Sequence, residues 1–174
     1  LLAGWYLLEL INEVLDLALI ESGKLSLSPE PVSVCEVLGA CEAMIEPQAQ
    51  SHGIRMAFVM PDSVCHVCAD RTRLKQVIIN LLSNAVKYTP PQGEVELRWW
   101  TDAEGGHIAV SDTGVGIAPE HIPRLTERFY RVDSGRSRDL GGSGLGLAIV
   151  RHALQRHEGM LTIDSVEGSG STFT

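Results

Sequence analysis

No stretch of about 18 apolar residues free of charge occurs in this 174-residue sequence. The most apolar region, Leu1 to Ile20, is interrupted by Glu9, Glu13 and Asp16, so a membrane-spanning helix is not expected. The start has no basic segment and no small-residue cleavage site, so a signal peptide is not expected. It also has no methionine, so the chain is expected to be a piece of something longer. Basic residues are in short supply: 14 Lys and Arg stand against 22 Asp and Glu, for a formal charge of -8 and a pI of about 5.2. That balance argues against a general nucleic-acid binder. Only four cysteines occur, at 35, 41, 65 and 68. Cys65 and Cys68 form one CxxC around His66, but no second pair of ligands follows at a zinc spacing. They read as small residues on a helix and a short strand, reduced in a cytoplasmic protein. There is no internal repeat and no GxxxxGK[ST] loop, and the GxGxxG register fails at its third glycine, so neither a Walker loop nor a dinucleotide fingerprint is present.

What is there alternates between helical and strand patterns. Leu7, Ile11, Val14 and Ala18 share one face, with the acidic residues on the other, so residues 1–27 read as an amphipathic helix seeking a partner helix, plus a linker from Glu21 to Pro31. Residues 28–174 read as a separate domain. Ser33 is placed to cap a helix from about Val34 to Gln50. "IRMAFVM" (54–60) and "CHVCA" (65–69) read as strands. Asp70 or Thr72 starts a long helix through Tyr88, stopped by Pro90-Pro91. "GEVELRWW" and "GHIAVSD" alternate around a turn, as a hairpin does. A short helix is expected near Pro119 to Leu125, then a polar, glycine-rich mobile loop from Arg131 to Gly144. A helix from Leu145 to His157 and two closing strands complete the chain. Consecutive strands are expected to pair antiparallel. The fold class is α+β, a two-layer sandwich with one sheet covered on one face by helices.

Three segments carry chemistry. In "NLLSNAVKY" (80–88), Asn80 and Asn84 lie four apart and share a helical face, with Lys87 close by. Asn is a mediocre helix former, so propensity does not account for the pair. Mg²⁺ takes oxygen ligands and keeps several waters. Asn84 can give it an amide oxygen, and Asn80 can orient a water or make a second contact. Lys87 can neutralise phosphate, and Tyr88 can pack on a base or ribose. In "DTGVGI", Asp112 ends a strand where a carboxylate can accept from an N–H donor such as the exocyclic amine of a purine. Gly114 and Gly116 permit positive φ and close approach beside Ile117; an ordinary turn fits this segment alone equally well. In "GGSGLGLAIV" (141–150), a glycine loop passes directly into a helix. The backbone amides of Gly142, Ser143, Gly144, Leu145, Gly146 and Leu147 suit an anion such as phosphate.

Taken in order, these segments resemble the ATP-binding domain of sensor histidine kinases. "RLKQVIINLLSNAVKYTP" resembles the family's N box, "DTGVGI" its first G box, "ERFYRVD" its F box and "GGSGLGLAIV" its second G box. "LLELINEVLDLALIESGKL" resembles the second helix of the dimerisation domain. The resemblance implies the histidine kinase/gyrase-type fold with a mixed sheet behind three helices. It implies ATP or ADP with Mg²⁺, Asn84 on the metal, Asp112 on adenine, Arg131 at the γ-phosphate, and a lid between the F box and second G box. It also implies a homodimer in the full-length protein, a phosphoacceptor histidine helix, and a response regulator receiver domain as the next partner. Thr126 departs from the family's usual Phe in the F box. None of the six histidines has the acceptor's His-Glu/Asp-Leu-Arg-x-Pro context, and a solvent-facing position is expected for His157 at its helix end. The stretch through Thr89 is similar to the hybrid-kinase subclass and "PEHIPRLTERFYRVD" to the phosphate-sensing one. Gyrase-type ATPases place a glutamate one turn before the magnesium asparagine. Asn80 stands there, and a neutral amide does not take a proton from water.

Overall fold

The structure is a computed structural model that describes residues 11, 18, 27–60, 65–132 and 142–174. The expected amphipathic helix of residues 1–27 therefore falls almost wholly outside the described residues, as does the middle of the expected lid. The elements run β1 (Glu30–Ser33), α1 (Val34–Ser51), β2 (Arg55–Val59), β3 (His66–Ala69), α2 (Arg71–Tyr88), β4 (Glu94–Thr101), β5 (Gly106–Asp112), a 3₁₀ turn (Ile122–Arg124), α3 (Gly146–Arg156), β6 (Ile163–Val166) and β7 (Gly170–Phe173).

Both long helices start where a side chain can take an orphan amide. Ser33 accepts from Glu36 N and Asp70 from Arg73 N, each the third residue of its helix, as a polar N-cap requires. The five-stranded sheet has the order β2-β4-β5-β7-β6. β2 pairs parallel with β4, and the remaining ladders are antiparallel, so the sheet is mixed. Val95, Leu97 and Trp99 alternate inward on β4 and meet Ile45, Ile78, Leu82 and Val150 in one core. Leu82 is fully buried, and truncating such a residue to alanine costs about 2–5 kcal/mol.

Three expectations need correction. Pro31 does not end a linker: β1 begins at Glu30, and Pro31 pairs with Cys68 in a separate two-stranded sheet of β1 and β3. Proline is tolerated there because β1 is an edge with no further partner among the described residues. β2 and β3, consecutive in sequence and expected to pair, do not, because β3 pairs with β1 and β2 with β4. The segment near Pro119 to Leu125 contracts to a single 3₁₀ turn. The four cysteines are free, with Cys68 exposed and Cys41 buried. Burial pushes the Cys41 thiol up to about 11, against the milder pull of Lys75, which leaves it protonated and unreactive. Among the described residues no helix is long and apolar enough to cross a membrane.

Candidate functional site

α2 presents two faces. Ile78, Leu81, Leu82, Ala85 and Val86 are buried, whereas Asn80, Asn84 and Lys87 form a half-buried stripe. The three polar residues are therefore brought to one side, as the spacing implied. Their situations differ. Asn80 is committed: its Nδ2 donates to the carbonyl of Gly146 at 3.4 Å, tying α2 to the first turn of α3. Asn84 makes no side-chain hydrogen bond among the described residues. Its amide oxygen is held in place by the helix yet left available, the condition a ligand for a hard cation needs. Lys87 places its ammonium 4.9 Å from the Tyr88 ring centroid and against Gly142, where an added Cβ would collide with its Nζ. The Tyr88 ring is partly exposed.

β5 delivers Asp112 to the C-terminal end of α2. One carboxylate oxygen, Oδ1, accepts from Gly114 N at 2.8 Å. Burial, the largest influence, pushes the Asp112 carboxyl above its usual range, and the amides of Gly114 and Ser171 only partly offset it. A half-buried carboxylate with spare acceptor capacity favours an incoming N–H donor. Gly114 lies against the Tyr88 carbonyl, 2.6 Å from where its Cβ would be. Gly116 has φ +65 and its missing Cβ leaves room for the carbonyl of Val166. Ile117 N donates to Ser165 Oγ at 2.8 Å, and Gly168 N to the Val115 carbonyl at 2.7 Å. The space these two glycines leave is thus filled by the chain's own backbone, a role their spacing did not reveal.

The second glycine segment is built otherwise. Gly142 and Gly144 have φ of +116 and +74. Gly144 packs on the backbone of Phe129 and Tyr130, and its carbonyl accepts from Phe129 N at 2.9 Å. Ser143 Oγ accepts from Leu145 N at 3.0 Å. Leu145 is fully buried and precedes α3 without any side-chain cap, so the amides of Gly146 and Leu147 have no capping side chain to satisfy them. Gly146 faces Asn80. Arg131 is half-buried at the end of the F-box stretch and has contacts of its own. In that stretch Tyr130 is fixed by a 2.7 Å hydrogen bond to His121 and by Arg124 over its ring at 4.2 Å, while Phe129 is 62% exposed.

A half-buried carboxylate at a strand end, an available amide oxygen on the facing helix, and an uncapped glycine-led helix start therefore converge around the C-terminal half of α2. The model of the family described as histidine kinase-, DNA gyrase B-, and HSP90-like ATPase matches residues 69–174, the span that contains all three. The chain belongs to this family. Within it, the chain is an ATP-binding domain of the sensor histidine kinase type. The phosphate regulon sensor protein PhoR of Pseudomonas aeruginosa is 44% identical over 165 residues, which cover 95% of this chain and 37% of PhoR. The circadian input-output histidine kinase CikA of Thermosynechococcus vestitus is 40% identical over 175 residues, covering 99% of this chain and 24% of CikA. The chain spans well under half the length of either relative. The crystal structure of full-length ShkA in complex with AMPPNP superposes with a TM-score of 0.82 at 32% identity, over 98% of this chain and 35% of that one. The mycobacterial sensor histidine kinase MprB gives a TM-score of 0.72 at 28% identity, over 84% of this chain and 94% of that one.

One histidine departs from expectation. His157 is not a solvent-facing helix end: it is half-buried and hydrogen-bonded on both ring nitrogens. The signal for it lay in α2, whose third residue is Arg73 rather than an acceptor, so the cap had to find its partner elsewhere.

Proposed function

We propose that this domain binds ATP with Mg²⁺ and supplies the γ-phosphoryl group to a histidine on a dimerisation helix, for relay to an aspartate of a response regulator receiver domain. The observation that carries the reading is Asp112: a half-buried carboxylate raised above its usual range beside a glycine turn. Asp112 accepts from the exocyclic amine of adenine. Tyr88, Gly114, Gly116 and Ile117 border the base and ribose. Asn84 holds Mg²⁺ by its amide oxygen together with the phosphates, and the metal would offset charge on them. Asn80 orders the first turn of α3 and, through it, the waters of the site. Lys87 and Arg131 neutralise the β- and γ-phosphates. The amides from Gly142 to Leu147 face the phosphate chain at a helix start.

In the transfer, the bond from the γ-phosphorus to the ADP oxygen breaks and a bond to the acceptor imidazole nitrogen forms, with the ring proton leaving to a neighbouring carboxylate. The domain's part is positioning and charge stabilisation. Hydrolysis is disfavoured because Asn80 occupies the position of a water-activating acid, and its amide is already engaged with Gly146. In this reading residues 1–27 belong to the dimerisation domain and 28–174 to the catalytic one, within a homodimeric cytoplasmic kinase portion. Incubation with γ-labelled ATP tests it. The 174-residue chain alone carries no acid-labile label, and a separate polypeptide bearing the dimerisation helices becomes labelled when added. Stoichiometric acid-labile label on the chain itself overturns the assignment of the acceptor.

A further inference from the structure

A helix start leaves its first amides without intrahelical acceptors. In the reciprocal cap, the cap side chain accepts from the amide of the third helical residue, whose own side chain accepts from the cap's amide. α2 has the first half, since Asp70 Oδ1 accepts from Arg73 N at 3.0 Å. It cannot have the second half locally, because a guanidinium offers no acceptor. The missing acceptor comes from the far end of α3: the Asp70 amide donates to His157 Nε2 at 3.0 Å. The other ring nitrogen, Nδ1, lies 2.8 Å from the Ala153 carbonyl. A backbone amide can only donate and a carbonyl only accept. The ring is therefore neutral, with its proton on Nδ1. The remaining oxygen of Asp70, Oδ2, accepts from Ser28 N at 3.1 Å.

This contact forms one rung between α2 and α3. Asn80 Nδ2 to the Gly146 carbonyl forms another. Asp70 to Asn80 on one helix and Gly146 to His157 on the other span about 15 and about 16.5 Å at the rise of an α-helix. The helices are thus antiparallel and pinned at both ends of nearly the same length. Between the rungs, α3 buries Ile149, Val150 and Ala153, and Leu147 and Leu154 pack partly buried against the same core. This apolar face holds the helices together, and the polar contacts at its two ends add specificity of register.

We propose that His157 is a positioning residue of the nucleotide site. By accepting the Asp70 amide it sets the axial register of α3 on α2, and so holds the glycine-led first turn of α3 against Asn80 and Asn84. The inference rests on reading that turn as part of a nucleotide site. His157→Gln keeps an acceptor at the reach of Nε2. His157→Leu keeps bulk without one, and His157→Asn reaches only the Nδ1 position and serves if the leucine variant does not fold. Two readouts on the 174-residue chain separate the two claims. Without nucleotide, amide exchange across residues 142–147 quickens in the Leu or Asn variant and stays near wild type in the Gln variant. In calorimetry with ADP and Mg²⁺, the acceptor-less variants bind about tenfold more weakly, the scale of one lost hydrogen bond, and Gln restores affinity. Wild-type exchange rates in a folded acceptor-less variant overturn the positioning role, as does a Gln variant no better than Leu. Failure of the wild type itself to bind ADP, with the exchange pattern as predicted, counts against the nucleotide reading and leaves the register claim standing.

Discussion

The two glycine-rich segments look alike in sequence and obey different constraints. In the first, Gly116 sits on the Val166 carbonyl and Gly114 on the Tyr88 carbonyl, and Ile117 N is consumed by Ser165. It is a wall clamped to α2 on one side and to the β6–β7 hairpin on the other. In the second, only Gly144 is fitted against backbone, that of Phe129 and Tyr130; the Cβ of Gly142 would meet the end of the Lys87 side chain, and that of Gly146 would make ordinary contact with Asn80. The start of α3 carries no capping side chain. The first glycine pair lets the chain fit against itself; in the second segment Gly144 does the same, while Gly142 and Gly146 meet side chains alone. In the proposed reading, the fixed wall would border the base and the uncapped helix start would meet the phosphates.

The sharpest way to break the comparison is at Gly116. Gly116→Ala places a Cβ on the Val166 carbonyl at a φ of +65, and it is expected to destabilise the domain by more than about 2 kcal/mol. A urea midpoint measures it; a loss no larger than that of Gly146→Ala removes the distinction between the segments. Next in size is Asp112→Asn. It should weaken adenine nucleotide binding by about 1.5–3 kcal/mol, the worth of a hydrogen bond to a charged group, and calorimetry reads that as roughly ten- to hundredfold.

The same substitution should raise stability at neutral pH. The Asp112 carboxyl is raised above its ordinary value by burial, so the folded state binds the proton more tightly than the unfolded state does. Its contribution is therefore favourable in acid and is lost as pH rises from the ordinary aspartate value through the folded one. Asp70 has the opposite sign. Burial is its largest single influence and pushes upward, but the amides of Arg73, Ser28 and Thr72 and the Arg73 charge outweigh it and hold the carboxyl low. Its contribution is present above the ordinary aspartate value and is lost as pH falls through the folded one. Thermal melts from acid to neutral pH should show Asp112→Asn gaining over wild type as pH rises, and Asp70→Asn losing.

Asn84→Ala follows, with about tenfold weaker ADP binding in Mg²⁺, little change when the metal is chelated, and an unchanged melting temperature, since Asn84 bonds to no described residue. Equal loss with and without metal would move Asn84 from the metal to the nucleotide. The smallest effect is at Gly146, where alanine has room and suits a helix; stability should hold or rise by up to about 1 kcal/mol.

Much of this was legible in sequence because it is local. Ser33 and Asp70 announce α1 and α2 by their own side chains, and the Asn80–Asn84–Lys87 stripe follows from helical period alone. Asp112 could be placed at a strand end because the glycine turn after it ends the apolar stretch of β5. What sequence hid was pairing at a distance. β1 is four residues long and contains Pro31, so nothing in its composition marks a strand; its partner β3 defines it. That β2 runs parallel to β4 depends on α2 as a crossover, not on either strand's residues. The backbone neighbours of Gly114 and Gly116 come from the end of α2 and the β6–β7 hairpin, and His157 finds Asp70 across the whole catalytic core. Local rules could show that the α2 cap lacked an acceptor, but not where the acceptor would come from.

The most direct test of the site is base selectivity, because Asp112 is the side chain that faces the base in this account. Adenine presents a donor amine where guanine presents an acceptor oxygen, and a carboxylate attracts the first and repels the second. Calorimetric titration of the 174-residue chain with ADP and then GDP, each with Mg²⁺, should show ADP binding at least about tenfold tighter. Equal affinity for the two nucleotides, or no measurable binding of ADP, would contradict the account.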